Sequence, residues 1–184
     1  MKEPCATSET RITIRPYRIE DAPALHEAAI ESVAEIQPFM PWCHAGLTVD
    51  QARTWIEAQV AAFESCNAFE FAIMAADGRF LGNCGVNQID PVRRRGNLAY
   101  WVRTSATGRG VATTAIKQVV RWVFENTDLS KLEAVISTGN AASIRAAEKA
   151  GATCDAVLRG RLWLQGAAHD AAIYSFVRTR ENIA

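Results

Sequence analysis

Val111, Ala115, Val119 and Val123 form one apolar row at helical spacing, and Ala112, Ile116, Val120 and Phe124 form a second row beside it, with Lys117 and Arg121 opposite. So wide an apolar face suits a helix that lies across a sheet, and the pattern predicts one running to about Glu125. The residues before it read as a strand, Leu98 to Val102, joined to the helix by Thr107-Gly108-Arg109-Gly110-Val111-Ala112. Glycine at 108 and 110 removes Cβ atoms that would hold an anion away. The unpaired N–H groups of a helix start add the positive end of its dipole, and Arg109 adds a full charge. The turn reads either as a plain tight turn or as a phosphate cradle, with neither Walker nor GxGxxG spacing.

The flanking segments define a mixed order of elements. Arg11–Pro16 reads as a strand, Glu20-Asp21 opens a helix with Leu25, Ala28, Ala29, Val33 and Ile36 on one side, and Pro38 closes it. The apolar loop Phe39-Met40-Pro41-Trp42 either packs on the core or walls a pocket, and a second helix runs from Thr48 through Phe63. From Phe69 the period becomes two. Asp77-Gly78 makes a hairpin turn into Phe80–Ile89, where Gly82 and Gly85 suggest a bulge, and Asp90–Arg95 turns back into Leu98–Val102. Arg93, Arg94 and Arg95 read as a solvated tip. Leu132–Ser137 is the next strand, Asn140 caps a helix that Gly151 ends, and Ala152–Arg161 with Ala168–Arg178 form a final pair around Gln165-Gly166. These elements predict an α/β (mixed α+β) domain spanning 1–184, with helices on both faces of a mixed sheet of about seven strands.

Charge and cysteine content narrow the function classes. Lys and Arg total 20 against 20 Asp and Glu, so no overall field attracts nucleic acid or anionic membrane, and phosphate binding has to be local. The five cysteines, Cys5, Cys43, Cys66, Cys84 and Cys154, are odd in number and without CxxC, so they read as buried free thiols rather than disulfides or a metal site. Met1–Arg11 has no secretory hydrophobic segment and no run approaches membrane-span length, which predicts a cytoplasmic protein.

Several ordered motifs together resemble the GCN5-related N-acetyltransferase (GNAT) family, RimJ/RimL-like group. They are Ile14-Arg15-Pro16-Tyr17 with Asp21, Pro41-Trp42, Gly85-Val86-Asn87-Gln88-Ile89-Asp90, Tyr100-Trp101-Val102, the glycine turn, Asn140-Ala141-Ala142-Ser143-Ile144-Arg145 and Glu148-Lys149-Ala150-Gly151. The resemblance implies the GNAT fold and acetyl-CoA held in a V-shaped opening between the strands at 98–102 and 132–137. Its pantetheine arm would pair with Trp101, Val102 and Arg103. The pyrophosphate would rest on Gly108, Arg109, Gly110, Val111, Ala112 and Thr113, with Asn140 and Ser143 also contacting the cofactor. One departure is Thr107, where the family turn begins with Gln or Arg.

Aminolysis of a thioester needs a neutral amine, a stabilised oxyanion and a proton for the leaving thiolate. The family's tyrosine on the second core helix falls at Ala147, which leaves Ser143 as the implied donor, unless its hydroxyl only bonds nearby backbone. The family's glutamate positions read Asn97 and Leu162, so the candidate bases are Glu70, His44 and Tyr174, with deprotonation through water as the alternative. Trp42, Asn87 and Trp163 are the candidate walls of the acceptor pocket. The implied activity is acetyl transfer to a primary amine, either a protein N terminus of the ribosomal-protein kind or a small amine, by a monomer or homodimer without nucleic acid, membrane or metal. The competing reading is a non-catalytic acyl-CoA-binding or regulatory module.

Overall fold

A computed structural model of the chain describes residues 11–179. Its seven strands form one sheet in the order β1-β2-β3-β4-β5-β7-β6. The strands are β1 (Ile12–Pro16), β2 (Phe69–Ala75), β3 (Phe80–Asp90), β4 (Arg95–Val102), β5 (Lys131–Ser137), β6 (Thr153–Leu164) and β7 (Ala167–Val177). The helices are α1 (Ala22–Glu31), the short α2 (Val33–Ile36), α3 (Val49–Glu64), α4 (Val111–Asn126) and α5 (Ala141–Ala150). The expected mixed sheet with helices on both faces is therefore present. Every neighbouring pair is antiparallel except β4 and β5, which run parallel and pair only at Arg95–Lys131, Gly96–Leu132 and Asn97–Glu133. Beyond Asn97 the two strands separate, and this splay creates the site.

Both apolar rows of α4 do lie across the sheet. Val111, Ala115, Ile116, Val119, Val120, Val123 and Phe124 pack with Phe69, Phe71, Ile73, Val86 and Leu98 in one core. The opposite face carries a second core of Leu25, Ala28, Ala29, Ala52 and Ile56 over Ala72, Phe80 and Trp101. Strand alternation explains the division: Tyr100 belongs to the α4 face and its neighbour Trp101 to the α1/α3 face.

Four local expectations need correction. The first helix is broken at Ser32 (φ −113°, ψ 11°), because the buried Ser32 hydroxyl donates to Ala28 O at 2.7 Å and accepts Thr104 N–H at 2.9 Å. The bulge expected at Gly82 and Gly85 involves only Gly82, where register shifts opposite Ile73/Met74; Gly85 stays in register and has a different role, described below. The final strand pair extends to Leu164 before a two-residue turn at Gln165 (φ 51°) and Gly166 (φ 76°), whose positive φ values suit a tight hairpin. Only Cys43 and Cys84 are buried, whereas Cys66 and Cys154 are exposed; Cys5 lies outside the described residues. Arg93, Arg94 and Arg95 sit at an exposed tip, with Arg93 paired to Asp90 at 2.9 Å. Among the described residues no helix is long and apolar enough to cross a membrane.

Candidate active site

The splay between β4 and β5 opens into a cleft of about 470 Å³. One wall is the start of α4. Gly108 (φ +73°) and Gly110 (φ +79°) are both left-handed, and a Cβ at either would meet no heavy atom within 4 Å, so the space above them is open. The first intrahelical bond of α4 runs from Thr114 N–H to Gly110 O. It leaves the N–H groups of Val111, Ala112 and Thr113 ahead of the ladder, and no acidic side chain stands in that first turn. Across the cleft, Arg145 and Lys149 present two cations from successive turns of α5. This donor set, with two cations beside it, suits a pyrophosphate.

Gly108, Gly110, Val111, Ala112 and Thr113 line this cleft together with Trp101 and Val102 on β4, Asn140 at the cap of α5 and Ser143 in its first turn. Asn140 Oδ1 accepts Ser143 N–H at 3.1 Å, so its cap fixes which face of α5 looks inward. Arg109 is exposed and outside the lining. Arg103 is turned away altogether. Its guanidinium is buried against α1, paired with Glu31 and with Glu27 at 2.8 Å, and its backbone N–H is already given to Leu81 O at 2.8 Å, so it offers the cleft neither side chain nor donor. The Arg103 guanidinium holds the Glu31 carboxyl down at about 2, helped by Ser105 N–H.

A smaller recess of about 120 Å³ continues from the cleft between the splayed strands, lined by Asn97, Leu98, Tyr100, Ala134, Ile136, Leu162 and Leu164. Phe39, Met40, Tyr100, Asn140 and Ser143 line both spaces, so they mark the junction. The apolar loop after α2 therefore walls a pocket, with Phe39 and Met40 as its contribution. At the junction Ser143 Oγ donates to Tyr100 Oη at 2.8 Å, and Tyr100 Oη donates to Ser143 O at 3.0 Å. Burial pushes the Tyr100 hydroxyl up to about 12, so it keeps its proton at neutral pH. Sequence reasoning missed Tyr100 as a site residue. The signal was available, because period-two alternation in the Tyr100-Trp101 pair must send the tyrosine toward α5.

The other predicted residues fall as follows. Trp42 is half exposed and packs at a tilt on Trp101 (centroids 5.6 Å apart), behind the lining. Trp163 is 73% exposed on β6 and lines neither space, because Leu162 and Leu164 take the side of the strand that faces the recess and alternation turns the residue between them away. His44 lies in the loop after Trp42, close to Gly46, and lines neither space. Tyr174 donates to Glu148 Oε1 at 2.8 Å, which raises its hydroxyl to about 12 and makes it an anchor between β7 and α5 rather than a base. Asn87 stands one step behind Asn97, bonded to it and to Glu70. Glu70 is 4% exposed, and burial raises its carboxyl from its ordinary value, opposed by the Asn83 and Asn87 amides, whose hydrogen bonds favour the charged form.

Comparisons with known proteins agree with this geometry. The profile of the family described as "Acetyltransferase (GNAT) domain" matches residues 11–153. The chain is 25% identical over 175 residues to the "Putative ribosomal N-acetyltransferase YdaF" of Bacillus subtilis (strain 168), covering 95% of this chain and 94% of the relative. Among solved structures it resembles RimL, a ribosomal L7/L12 alpha-N-protein acetyltransferase in complex with coenzyme A, with TM-score 0.85, 19% identity and 91% and 94% of the two chains covered. It also resembles the microcin C7 self-immunity acetyltransferase MccE in complex with acetyl-CoA and AMP, with TM-score 0.84, 21% identity and coverage of 91% and 92%.

Proposed function

The chain belongs to the acetyltransferase (GNAT) domain family, and from that premise we propose that it moves an acetyl group from acetyl-CoA to a protein N-terminal α-amine in the cytoplasm. The observation that carries the reading is the junction of the two spaces. A long cleft with an anion-binding end meets a short recess at two hydroxyls, as a donor thioester and a small incoming amine require.

In this reading the N–H groups of Val111, Ala112 and Thr113, with Arg145 and Lys149, hold the pyrophosphate of the acetyl donor. The splayed edge of β4 at Trp101 and Val102 aligns its pantetheine arm by strand-like pairing. The amine nitrogen attacks the thioester carbonyl carbon, the tetrahedral intermediate collapses, the C–S bond breaks and the amide forms. The departing sulfur takes a proton from Ser143 Oγ, which rotates toward it while Tyr100 donates to the oxygen left behind. The proton lost by the amine passes through water back to Ser143 Oγ, so that the thiol's new proton is balanced by the amine's, and holding the two reactants in register supplies much of the rate. N-terminal specificity is supported by the similarity to YdaF and RimL, whose names refer to ribosomal substrates.

The test is a mass-spectrometric screen of the purified protein with acetyl-CoA against seryl- and alanyl-initiated hexapeptides and a set of small amines. Acetylation of peptide α-amines is the expected result. Saturable acetyl-CoA binding without any acetylated product would overturn it in favour of a non-catalytic acyl-CoA-binding module.

A further inference from the structure

A chain of side-chain hydrogen bonds runs beneath the small recess, and all of its members point the same way. Glu70 Oε2 accepts Asn83 Nδ2–H at 2.8 Å, and Glu70 Oε1 accepts Asn87 Nδ2–H at 2.9 Å. Asn87 Oδ1 in turn accepts Asn97 Nδ2–H at 2.9 Å, and Asn83 Oδ1 accepts the Tyr17 hydroxyl at 2.9 Å. A carboxylate has only acceptors, whereas an amide has a donor end and an acceptor end. With both Glu70 oxygens buried, each asparagine must turn its Nδ2 toward Glu70, and the choice passes outward from Asn87 to Asn97. Asn97 lines the recess and turns its Nδ2 to Asn87, so the end of the amide directed away from Asn87 is its acceptor, Oδ1.

The backbone is built around this carboxylate. A Cβ at Gly85 would overlap Glu70 Oε2 and stand 2.7 Å from Glu70 Cα, so the side chain lies directly over a position that only glycine leaves open. Glu70 therefore reaches β3 without entering the recess itself. It touches neither acceptor nor donor, and two amides separate it from the recess. Amides do not relay protons as carboxylates and imidazoles do, so the chain sets orientation and not protonation.

We propose that Glu70 is a positioning residue for the acceptor: through Asn87 it turns Asn97 Oδ1 toward the recess, where that oxygen accepts an N–H of the incoming amine and points the nitrogen lone pair at the thioester. This rests on the acetyl-transfer reading above and adds how the acceptor is recognised. The recess selects a nitrogen that still has a hydrogen to donate after its lone pair is committed, which primary amines have and tertiary amines lack.

The chain can be reversed on paper, and that provides the test. In Glu70→Gln one oxygen of the side chain becomes a donor, and it faces Asn87, because a flip of Asn83 would take away the acceptor of the buried Tyr17 hydroxyl; Asn87 then flips to meet it and Asn97 flips in turn, presenting N–H to the recess. In Asn97→Asp two acceptors face each other at Asn87. In the double variant Glu70→Gln/Asn97→Asp every bond is remade in the opposite sense. The new amide at position 70 donates to Asn87, Asn87 donates to the new carboxylate at position 97, and an oxygen of that carboxylate again faces the recess.

With acetyl-CoA and a seryl-initiated hexapeptide, each single variant is expected to raise the peptide KM about tenfold. The acetyl-CoA dissociation constant should stay within about twofold, and the double variant should return the peptide KM to within about threefold of the parent. A purely structural role for Glu70 would not produce recovery on adding a second substitution. Folded single variants with unchanged peptide KM, or a double variant whose KM increase is the product of the two single increases, would overturn the proposal. A parent protein that acetylates no amine would instead overturn the acetyl-transfer reading, and this proposal with it.

Discussion

Replacing Ser143 with alanine removes one atom whose partners are all known. Ser143 Oγ bonds Tyr100 Oη at 2.8 Å, but Tyr100 also donates to the main-chain oxygen of residue 143 at 3.0 Å, and alanine retains that oxygen. The Asn140 cap likewise bonds the backbone N–H of residue 143, which the substitution leaves in place. No buried donor is left unpaired, so the stability cost is that of one ordinary hydrogen bond, about 1 kcal/mol. The catalytic cost is larger if the hydroxyl protonates the leaving sulfur. General acid catalysis contributes roughly 100-fold or more, equivalent to about 2.7 kcal/mol at 1.36 kcal/mol per decade.

The expected result for Ser143→Ala is therefore a kcat lowered about 100-fold, with acetyl-CoA affinity within about twofold of the parent. Tyr100→Phe should fall between them, at about tenfold, because it removes the hydroxyl that supports Ser143 but not the donor itself. Released CoA is best read by chromatography, since Cys66 and Cys154 are exposed and would consume a thiol reagent. An acetyl thioester with a more acidic leaving thiol offers a sharper comparison, because it needs less protonation and should narrow the gap between Ser143→Ala and the parent. An unchanged kcat, or a loss confined to acetyl-CoA binding, would refute the assignment of Ser143 as the acid.

Gly110→Ala meets no steric obstacle, but it forces φ +79° on an L-residue, costing about 1–2 kcal/mol, and places a methyl group where the phosphate cradle opens. Isothermal titration should show acetyl-CoA affinity weakened about tenfold, and an unchanged affinity would remove the cradle from the turn. Gly85→Ala should lower stability by about 1–3 kcal/mol, because Glu70 Cα stands 2.7 Å from the new Cβ. A thermal midpoint equal to the parent's would contradict the close approach. Glu31, with its carboxyl lowered to about 2 by Arg103, adds stability that is complete above its ordinary value near 4.5 and is lost as pH falls toward 2. Glu31→Gln should therefore unfold at lower temperature at pH 7 and show a shallower acid limb, whereas parallel pH profiles would refute the coupling. Trp163→Ser should leave both Michaelis constants unchanged, because that ring lines neither space.

What could be read in the residues themselves follows the range of the forces involved. The helix across the sheet, the glycine turn and the Asn140 cap depend on neighbours within one or two turns of chain, so the pattern around Gly108 to Phe124 located them. The break at Ser32 combines a local bond to Ala28 O, which a serine inside a helix can make without breaking it, with a bond from Thr104 N–H, 72 residues away, and the distant partner has no signal near Ser32. Arg103 shows the same limit from the other side. On its strand it reads as the natural continuation of Trp101 and Val102, yet Glu27 and Glu31 on α1 draw its side chain out of the cleft.

Glu70 shows most clearly why a residue-by-residue search for a base falls short. Taken alone it is a carboxylate on a strand, and the positions where the family resemblance implies glutamate hold Asn97 and Leu162 instead. The sheet register brings Glu70 opposite Gly85 and Asn87 opposite Asn97, and only these two pairings together connect a buried carboxylate to the recess. The missing glutamate is thus not simply absent from the neighbourhood. An acidic group sits on β2, with β3 between it and the splayed β4, behind two amides. From there it cannot take the proton of the amine, but it can decide which atom of Asn97 the amine meets. A site arranged in this way depends more on orientation than on a strong local base, and its rate should follow the fraction of acceptor that arrives already neutral.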